Sequence, residues 1–291
     1  MLKMLLRTLL GVGLIVAFVA CGSSSEESTD TGTTPDVAAD NAVTPDPAQT
    51  SDQAPAEAAE TTGPTETEPF TATVIEFGSK PPKPVAGADV VLMDANGQPT
   101  TTATKSGADG KVTIAIPKGQ PAGFKVSMAG YKDTYQFGLR PSPEGEKLWI
   151  VTETLYNLAP AMAGLVLHKD ASGKFDKGIV AGSIYWVNKE GKEEHVGCAK
   201  VETDQGGEAR YFDPATGFPA TLAKAPTTSK NLGYFLVANI NPGKTKVTAK
   251  LDDAAGTVIG SVDIFSFADA ICINNIYAQG DANPTPADCP R

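Results

Sequence analysis

Beyond about residue 70 the chain is written in short apolar runs separated by turn residues. TATVIEF, GADVVLMDANGQ, GKVTIAIPKG, GFKVSMAGY and DTYQFGL follow one another, each rich in β-branched or aromatic residues and bounded by Gly, Asn, Asp or Pro. Apolar runs this short, without a helical period, predict strands joined by tight turns. Successive strand residues point to opposite faces, so in GADVVLM the residues Ala88, Val90 and Leu92 share one face and Asp89, Val91 and Met93 the other. Asp94-Ala95-Asn96-Gly97 and Asp109-Gly110 supply the turns, because glycine reaches positive φ and Asp or Asn side chains bond their own backbone. Helical periodicity is almost absent from these ~220 residues, so the predicted class is all-β, with room for one large or two ordinary domains.

Four features stand in a fixed order: Pro84-Val85-Ala86-Gly87-Ala88-Asp89-Val90, Asp109-Gly110 before an apolar strand, Pro117 with Gly119, and Gly130-Tyr131. Together they resemble the carboxypeptidase regulatory-like domain over residues 70–140. The resemblance implies a small transthyretin-like (prealbumin-like) β-sandwich, in a family whose module is usually a non-catalytic structural, adhesive or carbohydrate-associated appendage. The same order returns more loosely in VAGSIYWV, VGCAKVET, PTTSKNLGYFLVANINPG and KVTAKL. The reading is two tandem sandwiches, 70–140 and 178–280, with 281–291 as a C-terminal tail. Residues 141–177 supply a strand around Trp149, Ile150 and Val151 and an interdomain connector whose hydrophobicity predicts a packed, semi-rigid pair.

An insertion, QGGEARYFDPATGFPATLAK, separates the paired strands of the second module. Arg210, Tyr211, Phe212 and Phe218 place one cation and three rings there, among Gly and Pro. Such loops on rigid sandwiches carry recognition, and exposed rings stack on sugars or fill a partner's pocket, which makes these four the candidate ligand-binding residues. The other reading folds the rings back to cap the open end of their own sandwich.

Residues 1–20 change where the protein is placed. Lys3 and Arg7, an apolar core from Thr8 to Val19 and small Ala20 form the three zones of an export signal, too short to span a bilayer. Phe18-Val19-Ala20-Cys21 resembles a bacterial lipobox, although leucine is commoner where Phe18 stands. The resemblance implies lipidation of Cys21 and anchoring in the membrane through the N-terminal lipid. With Gly22 rather than Asp next, it points to the outer membrane, at its periplasmic face or the cell surface. Residues 22–69 hold eleven acids and no aromatic, Lys or Arg, so 21–69 is read as the lipid anchor and a disordered acidic tether. Such a chain has an r.m.s. span of about 40 Å and a stretched reach of roughly 160 Å. Residues 70–291 then sum to about −1, leaving no basic footprint for nucleic acid.

After Cys21 three cysteines remain, and an exported chain normally oxidises a pair. Cys198 before Ala199 and Val201, and Cys272 between Ile271 and Ile273, both alternate away from the apolar side. The reading therefore pairs Cys198 with Cys272, a loop worth about 4 kcal/mol in the chain-entropy model. Cys289 is left to pair instead or stay free. His168 and His195 lack metal-ligand spacing and are read as surface or satisfied histidines. The Asp170–Asp176 loop has oxygens at calcium-like spacing, but Lys174 and a missing bidentate Glu make it a plain turn. Neither a Gly-x-Ser-x-Gly elbow nor the Tyr-Arg-Gly-Ser ending of hydroxyisourate hydrolases is present, and the glutamate motif of self-crosslinking pilin sandwiches is not visible. The expected protein is thus a non-catalytic, cofactor-free envelope lipoprotein that binds protein or polysaccharide, or else a structural accessory subunit of an envelope assembly.

Overall fold

The computed structural model describes residues 66–289; the signal, Cys21 and nearly all of the acidic stretch lie outside the described residues. The first half contains β1 (Thr67–Glu76), β2 (Lys83–Pro84), β3 (Asp89–Met93), β4 (Thr104–Lys105), β5 (Lys111–Pro117), β6 (Ala122–Ser127), β7 (Tyr131–Lys132), β8 (Thr134–Leu139) and β9 (Glu146–Thr152). The predicted runs are all strands. The first starts earlier than expected, because Thr67–Pro69 already pair with Ala115–Pro117. Gly110 shows why glycine is required at its turn: at φ +78°, an added Cβ would stand 2.9 Å from Pro84 Cβ and 3.0 Å from the Val74 carbonyl.

One helix, α1 (Glu153–Met162), follows, and hydrophobic periodicity gave no sign of it. Its signals are at the ends. Thr152 Oγ1 accepts the Leu155 N–H at 3.2 Å, Glu153 sits in the first turn, and Gly164 beyond the last turn has φ +70°. Tyr156 and Pro160 are its buried residues, which is too few to produce a clear stripe.

The second half contains β10 (Gly178–Val187), β11 (Glu193–His195), β12 (Ala199–Thr203), β13 (Glu208–Phe212), β14 (Pro219–Ala220), β15 (Tyr234–Ile240), β16 (Gly243–Leu251), β17 (Val258–Ser266), β18 (Ile271–Ile273) and β19 (Ile276–Tyr277). The pairing order of the first half recurs here. β1 pairs antiparallel with β5 and parallel with β9, as β10 does with β15 and with β18. β6 lies antiparallel between β3 and β8, as β16 does between β12 and β17. The hairpin β13–β14 is the predicted insertion.

These ladders make a β-sandwich architecture of three sheets. A five-stranded sheet holds β2-β1-β9-β7 with β5, a three-stranded sheet holds β12-β16-β17, and between them runs one eleven-stranded sheet in the order β14-β13-β15-β10-β18-β8-β6-β3-β4 with β11 and β19 on β10. The long sheet crosses the two halves through the parallel pair β18–β8, and the described residues form one compact unit. Its two ends are covered on opposite faces. Val90, Leu92, Phe124 and Val126 face the five-stranded sheet, where Phe70 stacks on Phe124 at 4.4 Å. Val91 and Met93, on the other face of β3, join Tyr135, Phe137, Val180, Phe235 and Val247 in the core against the three-stranded sheet. That explains why β3 is apolar on both sides. A third cluster packs α1 and Leu165 onto the outer face of β10 and β15 through Ile179, Ala181, Leu236 and Ala238.

At the seam the polar groups of one half are met by the other. Asn274, 6% exposed, accepts the Phe137 N–H at 3.0 Å through Oδ1 and donates Nδ2 to the Phe137 carbonyl at 2.6 Å. Its amide thus continues the β18–β8 ladder by imitating a strand backbone. Lys132 Nζ reaches Asp269 at 2.5 Å and lies 4.9 Å above the Tyr156 ring. The expected packed and semi-rigid pair is therefore a shared sheet.

The disulfide corrects the sequence reading. Cys198 is bonded to Cys289, Cα–Cα 5.7 Å and 91 residues apart, and Cys272 is a free, buried thiol. Cys272 does alternate with Ile271 and Ile273, but β18 is buried on both faces: the isoleucines belong to the cluster under α1 and Cys272 to the core against the three-stranded sheet. Burial raises the Cys272 thiol pKa well above its ordinary value, so the group stays protonated and inert. The bond fastens the C-terminal segment, whose Thr285 Oγ1 also accepts the Gly197 N–H at 3.0 Å.

Candidate binding surfaces

The four predicted ligand-binding residues do not form one exposed loop. Arg210, Tyr211 and Phe212 lie in β13, and only Phe218 is exposed, at 53%. Tyr211 points into the core at 2% exposure, where its hydroxyl oxygen accepts the Val201 N–H of β12 at 2.8 Å. Burial pushes its phenol pKa up to about 12. Arg210 turns toward α1: its Nε donates to the Ala163 carbonyl at 3.1 Å and its Nη2 faces Glu208 at 3.4 Å. It meets a helix-end carbonyl and complements the dipole there, which is a structural task. Phe212 packs on the cluster under α1 and sets its edge against Tyr234 at 5.5 Å. Tyr211 and Phe212 are adjacent in β13 and so point to opposite faces, Tyr211 into the core against the three-stranded sheet and Phe212 to the side covered by α1, and neither belongs to an open loop.

A cleft of about 460 Å³ remains between β12, an edge of the three-stranded sheet, and β13, next to the end of the long sheet, with exposed Leu222 on its rim. Its charges are already matched: Lys200 with Asp252 at 2.6 Å, Lys250 with Glu202, and Arg210 with Glu208. The edge of β12 is also occupied, by the Tyr211 hydroxyl at Val201 and by Thr228, whose Oγ1 accepts the Ala199 N–H at 3.0 Å. Capping these groups removes the free donors that an added strand would need.

Asp213, Asp253 and Asp170 are turn-forming carboxylates. Each is held below the usual carboxylate range by hydrogen bonds: from Lys224 first at Asp213, from the Thr257 N–H at Asp253, and from the Ser172 hydroxyl at Asp170. The Asp170 loop is thus a side-chain-capped turn. Among the described residues no three His, Cys, Asp or Glu side chains gather as metal ligands.

A different surface assembles from residues that are far apart in sequence. On the outer face of β10, beyond the part covered by α1, rings from neighbouring strands stand in sequence: Tyr277 of β19, Tyr185 of β10, His195 of β11, Tyr234 of β15 and Phe212 of β13. Their centroids are separated by 6.1, 4.7, 5.5 and 5.5 Å in that order. Tyr185 lies directly opposite both His195 and Tyr277 in the ladders. Tyr277, 46% exposed, donates its hydroxyl to Glu193 Oε1 at 2.7 Å. His195 was expected to be a surface or satisfied histidine; it is half-buried, and its Nδ1 is buried against Gly233 without a hydrogen-bond partner. Burial lowers its pKa, opposed by the Glu193 charge, so the ring is neutral near pH 7. Next to it lies a concavity of about 600 Å³ between β11, Lys230-Asn231 and the disulfide-fastened segment Asn283–Ala287. Tyr185, Tyr234 and Tyr277 were visible as aromatics at alternate strand positions, but only the strand order places them side by side.

No protein-family model matches the chain, and no curated protein matches its sequence. Among solved structures, the chain is similar to the shaft pilin of Lactobacillus rhamnosus GG, at 12% identity and a TM-score of 0.24, covering 75% of this chain and 100% of the pilin. It is also similar to the minor pilin of Streptococcus agalactiae, at 11% identity and TM-score 0.23, covering 77% and 100%. A third is the D0-D1 domain of intimin, at 17% identity and TM-score 0.21, covering 69% and 91%. Superpositions at these scores transfer neither a fold nor a function to this chain.

Proposed function

We propose that the protein is a non-catalytic binding module of the bacterial envelope, lipidated at Cys21 and held off the outer membrane by the acidic stretch 22–69. The observation that carries the reading is the shared sheet. Residues 67–289 are joined through β18–β8, the Asn274 amide and the Lys132–Asp269 pair, so the head presents a surface of fixed geometry. Several of the perturbed titratable groups have structural causes, which supports it as well. Tyr135, Tyr156, Tyr211 and Cys272 are core groups shifted by burial, and Asp170, Asp213 and Asp253 have their oxygens engaged in turns. A rigid head on a long polar stem suits capture or adhesion at a distance from the bilayer.

The test has two parts. Cells fed an alkyne-labelled fatty acid should label the wild-type protein and leave Cys21→Ser unlabelled and released from the membrane fraction. Protease added to intact cells should cut within residues 22–69. Full protection, with a stoichiometric set of periplasmic proteins recovered after mild cross-linking, would replace this reading with that of an accessory subunit docked inside the envelope.

A further inference from the structure

We infer that the row Tyr277–Tyr185–His195–Tyr234 is a binding platform for an extended neutral polysaccharide, with the concavity beside His195 receiving sugar hydroxyls. The inference rests on the binding-module reading above and names its ligand class and site. Three features of the surface carry it.

The first is ring presentation. β19 and β11 flank β10 on either side, two strand spacings or roughly 10 Å apart. Tyr277, 46% exposed, nevertheless reaches Glu193 with its hydroxyl, so its side chain extends across β10 toward β11. Tyr185 stacks on His195 at 4.7 Å and 26°, Tyr277 is tilted 30° to Tyr185 at 6.1 Å, and Tyr234 stands edge-on to His195 at 89°, so the row is a stacked pair with a tilted, exposed ring at one end and an upright ring at the other. A pyranose offers a face of polarised C–H groups, which suits the negative faces of such rings.

The second is the border. Glu193, Glu194, Asn231 and Asn283 line the concavity beside His195, along with Lys192 and Lys230. Asn283 Nδ2 points to Glu194 Oε2 at 3.4 Å, and Asn275 Oδ1 accepts the Ser183 N–H at 3.2 Å. Amide and carboxylate groups at the edge of aromatic faces meet the ring of equatorial hydroxyls on a sugar.

The third is charge. Lys192 and Lys230 face the concavity together with Glu193 and Glu194, and the four cancel. Neither lysine forms an ion pair among the described residues, so both ammonium groups are open as donors without giving the surface a net sign. An uncharged polymer fits this balance better than a polyanion.

The test uses the full chain in detergent micelles, passed over amorphous cellulose, chitin, β-1,3-glucan and mannan, with immobilised heparin as the charged comparison. Retention on at least one neutral glycan, little changed by salt, is expected. Tyr277→Ala should weaken it roughly 2- to 10-fold, the size of one aromatic contact. Tyr277→Phe keeps the ring and should bind nearly as well, while Phe218→Ala, outside the row, should change nothing; melting curves verify that each variant is folded. No retention on any neutral glycan, retention on heparin alone, or retention that a folded Tyr277→Ala leaves intact would overturn the platform. If glycans fail while cross-linking of whole cells recovers a stoichiometric protein partner, the platform falls and the binding-module reading survives; recovery of neither sinks both.

Discussion

Replacing Asn274 by alanine tests the seam between the two halves most directly. The side chain is buried, and Phe137 loses both partners at once: the donor to its carbonyl at 2.6 Å and the acceptor of its N–H at 3.0 Å. No solvent reaches the site to replace them, since Phe137 and Cys272 are buried on either side. Each orphaned group costs about 1–3 kcal/mol, so the variant should lose about 2–6 kcal/mol. For a unit of this size that corresponds to roughly 4–24 °C in Tm. The assay follows from composition, because the chain has two tryptophans, Trp149 in β9 and Trp186 in β10, one in each half. Single-tryptophan versions should report coincident urea transitions in the parent if the shared sheet makes the halves cooperate. In Asn274→Ala the two transitions should move to lower urea and separate. A midpoint unchanged to within about 0.5 kcal/mol, or transitions already separate in the parent, would refute the account of the seam.

Three further outcomes follow from the same structure. Cys289→Ser should remove about 4–5 kcal/mol in the chain-entropy model for a 91-residue loop and free the C-terminal segment to early proteolysis, whereas Cys272→Ser should leave the non-reducing peptide map unchanged. Tyr211→Phe should cost about 1–3 kcal/mol, read by denaturant unfolding, because the Val201 N–H of an edge strand loses its buried acceptor. The His195 pKa is depressed by burial, so at mildly acidic pH the unfolded chain binds the proton more readily than the fold. Stability from this residue is therefore present above the unfolded value of about 6.5 and is lost as pH falls toward the depressed folded value; Tm measured from pH 7.5 to 5 should fall less in His195→Phe than in the parent.

The sequence by itself determined the local grammar. Alternation in GADVVLM set Ala88, Val90 and Leu92 inward, Asp94 and Gly97 made their turn, and the recurrence of VAGSIYWV and KVTAKL anticipated a second set of ladders. These signals are legible because a strand's period and a turn's φ are properties of a few adjacent residues. Even α1 left its mark at both ends, in Thr152 and Gly164. The tertiary structure decided whatever depends on which strand lies beside which. Cys272 looked outward-facing because alternation tells one face from the other but not whether either is wet; β8 and β10 flank β18, and with a core on each side both faces are dry. Arg210 and Tyr211 read as a recognition loop because a cation beside rings looks the same whether it faces solvent or a helix end. The aromatic row was hidden for the same reason. Tyr185, His195, Tyr234 and Tyr277 are spread over some ninety residues, and contact between them exists only because β19, β10, β11 and β15 are neighbours in one sheet.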